Sequence, residues 1–278
     1  MTERKWRRSE RIAGIVKVLV DQPSRLLSLA YFGDLFGAAK STISEDLEAI
    51  DSSLRKFGLG KLQTFAGAAG GVRYVPRRSS QALIKLAEEI GARIGQPDRI
   101  LPGGYLYLND LIFDPYLAHQ VGEALASLFA ESGAEFVTTV ETKGIPIALA
   151  TARALDRPLV VIRRDSPVTE GPSLSINYVS GSTRRLQNMS LARRSLPAGA
   201  RVLFVDDFMK AGGTAKGVCD LMAEFGATVV GTGVLIETAG PAQKLIDDYL
   251  SLLVLDEVNE AERQIAIRAN PRLLTLGQ

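Results

Sequence analysis

The chain holds one cysteine, one histidine and one tryptophan among its 278 residues. With Cys219 as the only thiol, no internal disulfide can form and no cysteine-based zinc site can be assembled, so it reads as a small apolar residue packed on a helix. His119 and Trp6 fall outside every motif and receive no role. Long hydrophobic runs are missing too. LVVI at 159–162 and VLFV at 202–205 fall far short of the ~20 residues a membrane span requires, and the opening MTERKWRRSE lacks the apolar stretch of a signal peptide. Internal repeats and low-complexity segments are also absent. A globular, cytoplasmic protein with no membrane partner is expected.

What is present divides unevenly. The apolar content of 46% is enough for one large domain or two smaller ones. Residues 1–78 carry 14 Lys or Arg against 8 Asp or Glu, which leaves 19 against 23 for the remainder. A basic front end suits contact with a polyanion; a solvated basic tail is the alternative.

In that front end, Ile12, Ile15, Val16, Leu19 and Val20 recur at helical spacing, and Pro23 stops the pattern. Residues 27–36 (LSLAYFGDLF) read as a second helix buried through Leu29, Phe32, Leu35 and Phe36, closed by Gly37. A third helix is expected to start near Ser41, with Thr42 and Glu45 at capping-box spacing and a stripe of Ile43, Leu47, Ile50, Leu54 and Phe57. LQTF and VRYV around AGAAGG read as a hairpin. Three helices and a hairpin predict a winged helix over residues 1–77. Lys40, Ser41, Thr42 and Ser44 would open the recognition helix, and Gly70, Gly71 and Arg73 would lie in the wing. Arg4, Lys5, Arg7 and Arg8, with Lys61, Arg77 and Arg78, would supply contacts to phosphates. A helical dimerisation module with an incidental basic surface is the competing reading. Ser79 to Gln96 reads as a linker helix.

From about residue 100, apolar runs alternate with helical patterns, which predicts an α/β domain with a parallel sheet over residues 78–278. The strand candidates are FVTTV, PLVVIR, VLFVDD and ATVVGTGVLI. Ligands in such folds bind outside the carboxyl ends of strands, and the segment DDFMKAGGT, Asp206 to Thr214, lies at one such end. Gly212 and Gly213 let successive N–H groups turn toward one anion, and the helix that follows adds its positive end. Asp206 and Asp207 suit the two vicinal hydroxyls of a ribose, directly or through magnesium. Lys210 offers a point charge for a polyphosphate or is simply solvated. Neither a Walker A loop nor a GxGxxG fingerprint is present.

This pattern is similar to the 5-phosphoribosyl-1-pyrophosphate signature of type I phosphoribosyltransferases. The resemblance implies that ETKGIP supplies a pyrophosphate loop through Thr142, Lys143 and Gly144. It also implies that Arg163 and Arg164 form a basic pair beside it, and that residues 176–190 form a flexible loop. RRSERIAGIVKVLVDQP, KSTISEDL, GAAGGVRYVP, RILPGGYLYL, TKGIPIA and VDDFMKAGGT together resemble the purine operon repressors of Gram-positive bacteria over nearly the full length. That resemblance implies a homodimer that binds operator DNA and is not an enzyme. 5-Phosphoribosyl-1-pyrophosphate would be the inducer and guanosine tetraphosphate its competitor, with no further cofactor. The implied effector site comprises Asp206, Asp207, Phe208, Lys210, Ala211, Gly212, Gly213, Thr214, Thr142, Lys143, Gly144 and Arg163. Tyr105 would stack on a guanine or serve as a buried core tyrosine. The alternative function is an active purine phosphoribosyltransferase with an appended nucleic-acid module.

Overall fold

The computed structural model describes residues 6–67, 69–165, 169, 171–179 and 186–275. The chain divides into two compact units, Met1–Arg78 with Arg153–Asp156 and Ser79–Ala152 with Arg157–Gln278. Among the described residues no helix is long and apolar enough to cross a membrane.

The first unit is built from α1 (Arg8–Asp21), α2 (Leu29–Phe36), α3 (Lys40–Lys56) and the antiparallel strands β1 (Lys61–Phe65) and β2 (Gly71–Val75). Three helices followed by a hairpin make a winged helix. Ser28 Oγ accepts the N–H of Tyr31 at 3.1 Å to start α2, and Gly37, in the left-handed region at φ 59, ends it. Ile15, Leu19, Phe32, Ile43, Leu47 and Ile50 pack with Leu62 and Val72 as the core.

Three expectations fail here. Val20 and Leu35 are exposed, because the apolar stripe is wider than the face the small core can cover. Phe57 lies beyond the end of α3 and is 68% exposed. The Thr42–Glu45 capping box does not form either. Ala39, in extended conformation, is the N-cap and its carbonyl accepts the N–H of Ile43 at 3.0 Å, so Thr42 is already inside the first turn.

A polar cluster of three residues replaces some of the missing apolar contact. Asp46 on α3 is 1% exposed and receives Arg11 Nε at 2.5 Å and Arg8 Nε at 3.1 Å, both from α1.

The second unit opens with α4 (Ser80–Ile94), capped by Ser79, whose Oγ accepts the N–H of Ala82. Next come the short strands β3 (Ile100–Leu101) and β4 (Tyr105–Leu106), then α5 (Asn109–Ile112) and α6 (Pro115–Leu128). The remaining elements are β5 (Phe136–Val140), α7 (Gly144–Leu155), β6 (Leu159–Ile162), β7 (Ser173–Val179), β8 (Leu186–Ala192), β9 (Arg201–Met209), α8 (Gly213–Glu224), β10 (Thr228–Thr238), β11 (Leu250–Asn259) and β12 (Gln264–Ala269). The main sheet runs β12-β11-β10-β9-β5-β6, parallel except for β12. α4 is not a free linker. Leu83, Leu86, Ala87, Ile90 and Ile94 are buried, and the helix packs on β11 and β12. In another apolar cluster, Val140, Ile162, Phe204 and Val234 of the sheet meet Val218, Leu221 and Met222 of α8 and Met189 of β8.

Asp46→Ala is expected to destabilise the N-terminal unit by about 3 kcal/mol, since Arg11 would stay buried without its counter-ion. Trp6, the one tryptophan, belongs to this unit and reports the change as a lower urea midpoint at unchanged slope.

Candidate functional site

Strands β5 and β9 are parallel neighbours, paired from Phe136↔Val202 to Thr138↔Phe204. From β5 the chain passes through α7 to β6 on one side, and from β9 it passes through α8 to β10 on the other. The connections diverge at this point, and a crevice opens between the strand ends, as expected where the winding of a parallel sheet reverses. The cleft there has a volume of about 500 Å³. Glu141, Thr142 and Lys143 border it from the loop after β5, and the segment from Asp206 to Thr214 borders it from β9 and α8. Arg164, following β6, and Tyr178 and Gln187 of the β7–β8 hairpin complete the wall. The peptide bond between Glu141 and Thr142 is cis.

β9 continues to Met209, so Asp206 and Asp207 are strand residues, as the candidate VLFVDD implied, and the strand also takes in Phe208 and Met209. Past Phe204 the strand has lost β5 as a partner, and the start of α7 occupies the vacated edge. This proximity explains Gly144: a β-carbon there would lie 2.2 Å from Thr139 Oγ1 and 2.8 Å from Asp206 Oδ1. The N–H of Asp207 donates to Asp206 Oδ1 at 2.9 Å. Burial, and then the adjacent negative charge of Asp207, push the Asp206 carboxyl well above the usual carboxylate range, while Arg164 pulls it back. Opposite the acids, α8 begins at Gly213 with Gly212 as its N-cap at φ 81 and no side-chain cap. Its first N–H groups therefore remain available to an anion. Among the described residues no group of three His, Cys, Asp or Glu could hold a metal alone. A magnesium ion at Asp206 and Asp207 would take its other ligands from bound oxygens and water, which is the usual habit of that ion.

The structure brings together most of the residues expected from the sequence: Thr142, Lys143, Asp206, Asp207, Phe208, Lys210, Ala211, Gly212, Gly213 and Thr214 all line the cleft. Gly144, Arg163 and Tyr105 do not; Gly144 begins α7 beside Asp206. Arg163 forms a backbone bridge with Ser190 and pairs through Nε with Glu141 at 3.4 Å, which leaves its neighbour Arg164 to face the cleft. Tyr105 sits on the two-residue β4, 60% exposed, so it is neither a core tyrosine nor part of the cleft wall. Glu141, Tyr178 and Gln187 were not foreseen. The hydroxyl of Tyr178 donates to Gln187 Oε1 at 2.7 Å across the hairpin, a pairing that only the strand register reveals.

In the first unit, Lys40 and Ser41 are exposed at the start of α3, with Thr42 and Ser44 partly exposed. In the wing, Arg73 Nε donates to Gln63 Oε1 at 2.8 Å and the guanidinium lies 5.0 Å from the centre of the Phe65 ring. Gly71 is buried, and a β-carbon there would stand 2.3 Å from the Leu27 carbonyl oxygen, so this glycine serves packing rather than an outer surface. A β-carbon on Gly70 would strike the Phe65 carbonyl oxygen at 2.2 Å. Arg7 is exposed, with its N–H bound by Glu10 Oε2 at 2.8 Å. Arg8 keeps an exposed side chain although it pairs with Asp46. Arg4 and Lys5 lie outside the described residues.

These features define a class: a phosphoribosyltransferase fold, with its crevice at the sheet's switch point, preceded in the chain by a winged helix. The bacterial purine repressor N-terminal family matches residues 7–76, and the phosphoribosyl transferase domain family matches residues 112–266. The purine biosynthesis transcriptional repressor of Bacillus subtilis is 46% identical over 95% of this chain and 93% of its own. The purine biosynthesis transcriptional activator of Lactococcus lactis is 40% identical over 94% of this chain and 97% of its own. An adenine phosphoribosyltransferase structure from Rhodothermus marinus matches with a TM-score of 0.51 at 25% identity, covering 62% of this chain and 99% of that one. The chain belongs to the family of bacterial purine repressors.

Asp207→Asn is expected to lower the Asp206 pKa part of the way toward the ordinary value, with burial maintaining the rest. Carbonyl-detected NMR titration of the Asp206 carboxyl checks this, and an unchanged midpoint would contradict the assigned cause.

Proposed function

We propose that this protein is a DNA-binding transcriptional repressor of purine biosynthesis and transport genes, and that its phosphoribosyltransferase-fold unit serves as a metabolite sensor rather than an enzyme. The observation that carries the reading is the joining, in one chain, of a purine-repressor N-terminal domain to a cleft with adjacent acids on one wall and a glycine-started helix on the other. Repression is the direction named for the 46% identical relative, whereas the 40% identical one is named an activator.

The ligand proposed for the cleft is 5-phosphoribosyl-1-pyrophosphate, with or without magnesium, with guanosine tetraphosphate competing for the same place. Asp206 and Asp207 accept the ribose hydroxyls. The N–H groups at Ala211 to Thr214 take the 5-phosphate, and Thr142, Lys143 and Arg164 face the pyrophosphate. Lys210, exposed at the cleft edge, adds positive charge suited to holding a polyphosphate. In the winged helix, α3 enters the major groove through Lys40, Ser41, Thr42 and Ser44, while Arg7, Arg8 and Arg73 contact phosphates. The protein acts on paired operator boxes as a homodimer in the cytoplasm.

Induction then follows from linkage. A ligand shifts DNA affinity only by the difference between its own affinities for the DNA-free and DNA-bound forms, so the inducer must favour the free form. Operator DNA must weaken inducer binding by the same factor, typically worth ~1–3 kcal/mol.

Fluorescence anisotropy of a labelled duplex from a purine-gene promoter, at fixed salt, tests the reading. Tight binding that 5-phosphoribosyl-1-pyrophosphate reverses is expected, and Asp206→Ala should keep the DNA affinity but abolish the reversal. Absence of specific DNA binding, together with phosphoribosyl transfer to a purine base, would establish the enzyme instead.

A further inference from the structure

Lys244 lies in the segment after β10 and is 8% exposed. Its ammonium donates to the Lys210 carbonyl at 2.6 Å and to the Thr238 carbonyl at 2.7 Å. The Thr238 hydroxyl lies 3.2 Å from the same Lys210 carbonyl. One residue further along each segment, the N–H of Leu245 donates to the Ala211 carbonyl at 2.9 Å. The phosphate-loop candidate is therefore tied by two successive carbonyls to a stretch of chain lying beneath it.

The consequence follows from the geometry of the peptide unit. In a trans peptide the C=O and the next residue's N–H point in opposite directions. Drawing the Lys210 and Ala211 carbonyls onto residues 244 and 245 thus turns the N–H groups of Ala211 and Gly212 the other way. Both residues line the cleft, and among the described residues no backbone acceptor takes either N–H. The positive φ of Gly212 brings the second N–H round beside the N-terminus of α8, so that successive donors converge on one point. Burying an ammonium is costly, and burial does depress the Lys244 pKa, partly offset by Glu237. A neutral donor would also hold a carbonyl. The ammonium in addition places a fixed positive charge behind the amides.

We propose that Lys244 is the positioning residue of the anion loop, fixing the Ala211 and Gly212 amides, and placing a charge behind them, for the phosphate monoester of a phosphoribosyl ligand that it does not itself touch. This rests on the cleft being the phosphoribosyl site proposed above.

The test is isothermal titration calorimetry of the full-length protein with ribose 5-phosphate and with 5-phosphoribosyl-1-pyrophosphate, for the wild type, Lys244→Met and Lys244→Arg. Lys244→Met should weaken both ligands by about 10- to 100-fold, the range for a lost charge-assisted hydrogen bond, with DNA affinity unchanged. Lys244→Arg should recover most of that loss, which a role in filling space alone would not require of a bulkier side chain. In the wild type, ribose 5-phosphate should shift the ¹⁵N–¹H resonances of Ala211 and Gly212, a readout that does not depend on the variants folding. Wild-type binding without those shifts, or undiminished binding by a folded Lys244→Met, would overturn the role of Lys244 and leave the cleft assignment standing. No binding of either compound by the wild type would overturn both.

Discussion

Because β5 and β9 lie side by side and send their chains in opposite directions, neither connection can cover the ends of the two strands. The rest of the candidate site follows from that divergence. Its two main loops come from sequence positions about sixty residues apart, yet they face each other across one crevice. β9 outruns its pairing with β5, and the start of α7 can approach Asp206 only through a residue without a β-carbon. The raised pKa of Asp206 has the same origin: the carboxyl is held in a wall of protein beside a second acid.

Such a wall is unfavourable by itself, and the surrounding structure supplies the compensation. Behind it, the aliphatic contacts between the sheet and α8 form a closed core. Beside it, the carboxylate of Glu237, at the end of β10, accepts hydrogen bonds from Tyr249 at 2.7 Å, Ser251 at 2.9 Å and Asn270 at 3.0 Å. Burial, followed by the hydrogen bond to Glu237, pushes the Tyr249 phenol up to about 12, which keeps it a donor. This satisfied network holds the end of β10, and thus Thr238, in place. Thr238 in turn anchors the Lys244 ammonium against the Lys210 carbonyl. Buried and part-buried polar contacts, joined through the backbone between Glu237 and Thr238, therefore run from β11 and the C-terminal segment to the loop after β9.

The winged helix uses a similar device. Its core is small, and one fully buried carboxylate, Asp46, fastens α3 to two arginines of α1. One of these, Arg8, remains exposed, so a single acid both locks two helices together and orients a cation at the unit's surface.

Local pattern alone made much of this visible. Helical periodicity marked α1 to α3, and the apolar runs marked β5, β6, β9 and β10, because those residues bury one face or both wherever they sit. The segment DDFMKAGGT was legible as the border of a cleft because strand end, acids, glycines and helix start are contiguous, and contiguity survives folding. What the sequence left hidden depends on residues that are distant along the chain. α4 read as a linker until the sheet it covers was known, since an amphipathic helix does not say which surface it meets. Leu250 to Leu255 is apolar apart from Ser251, yet its place as β11 follows from pairing with β10. Arg164 rather than Arg163 faces the cleft because Arg163 is bound in a bridge to Ser190. Lys244 carries no motif at all; only tertiary structure brings its ammonium under Lys210, thirty-four residues away, where it can set the direction of a peptide plane.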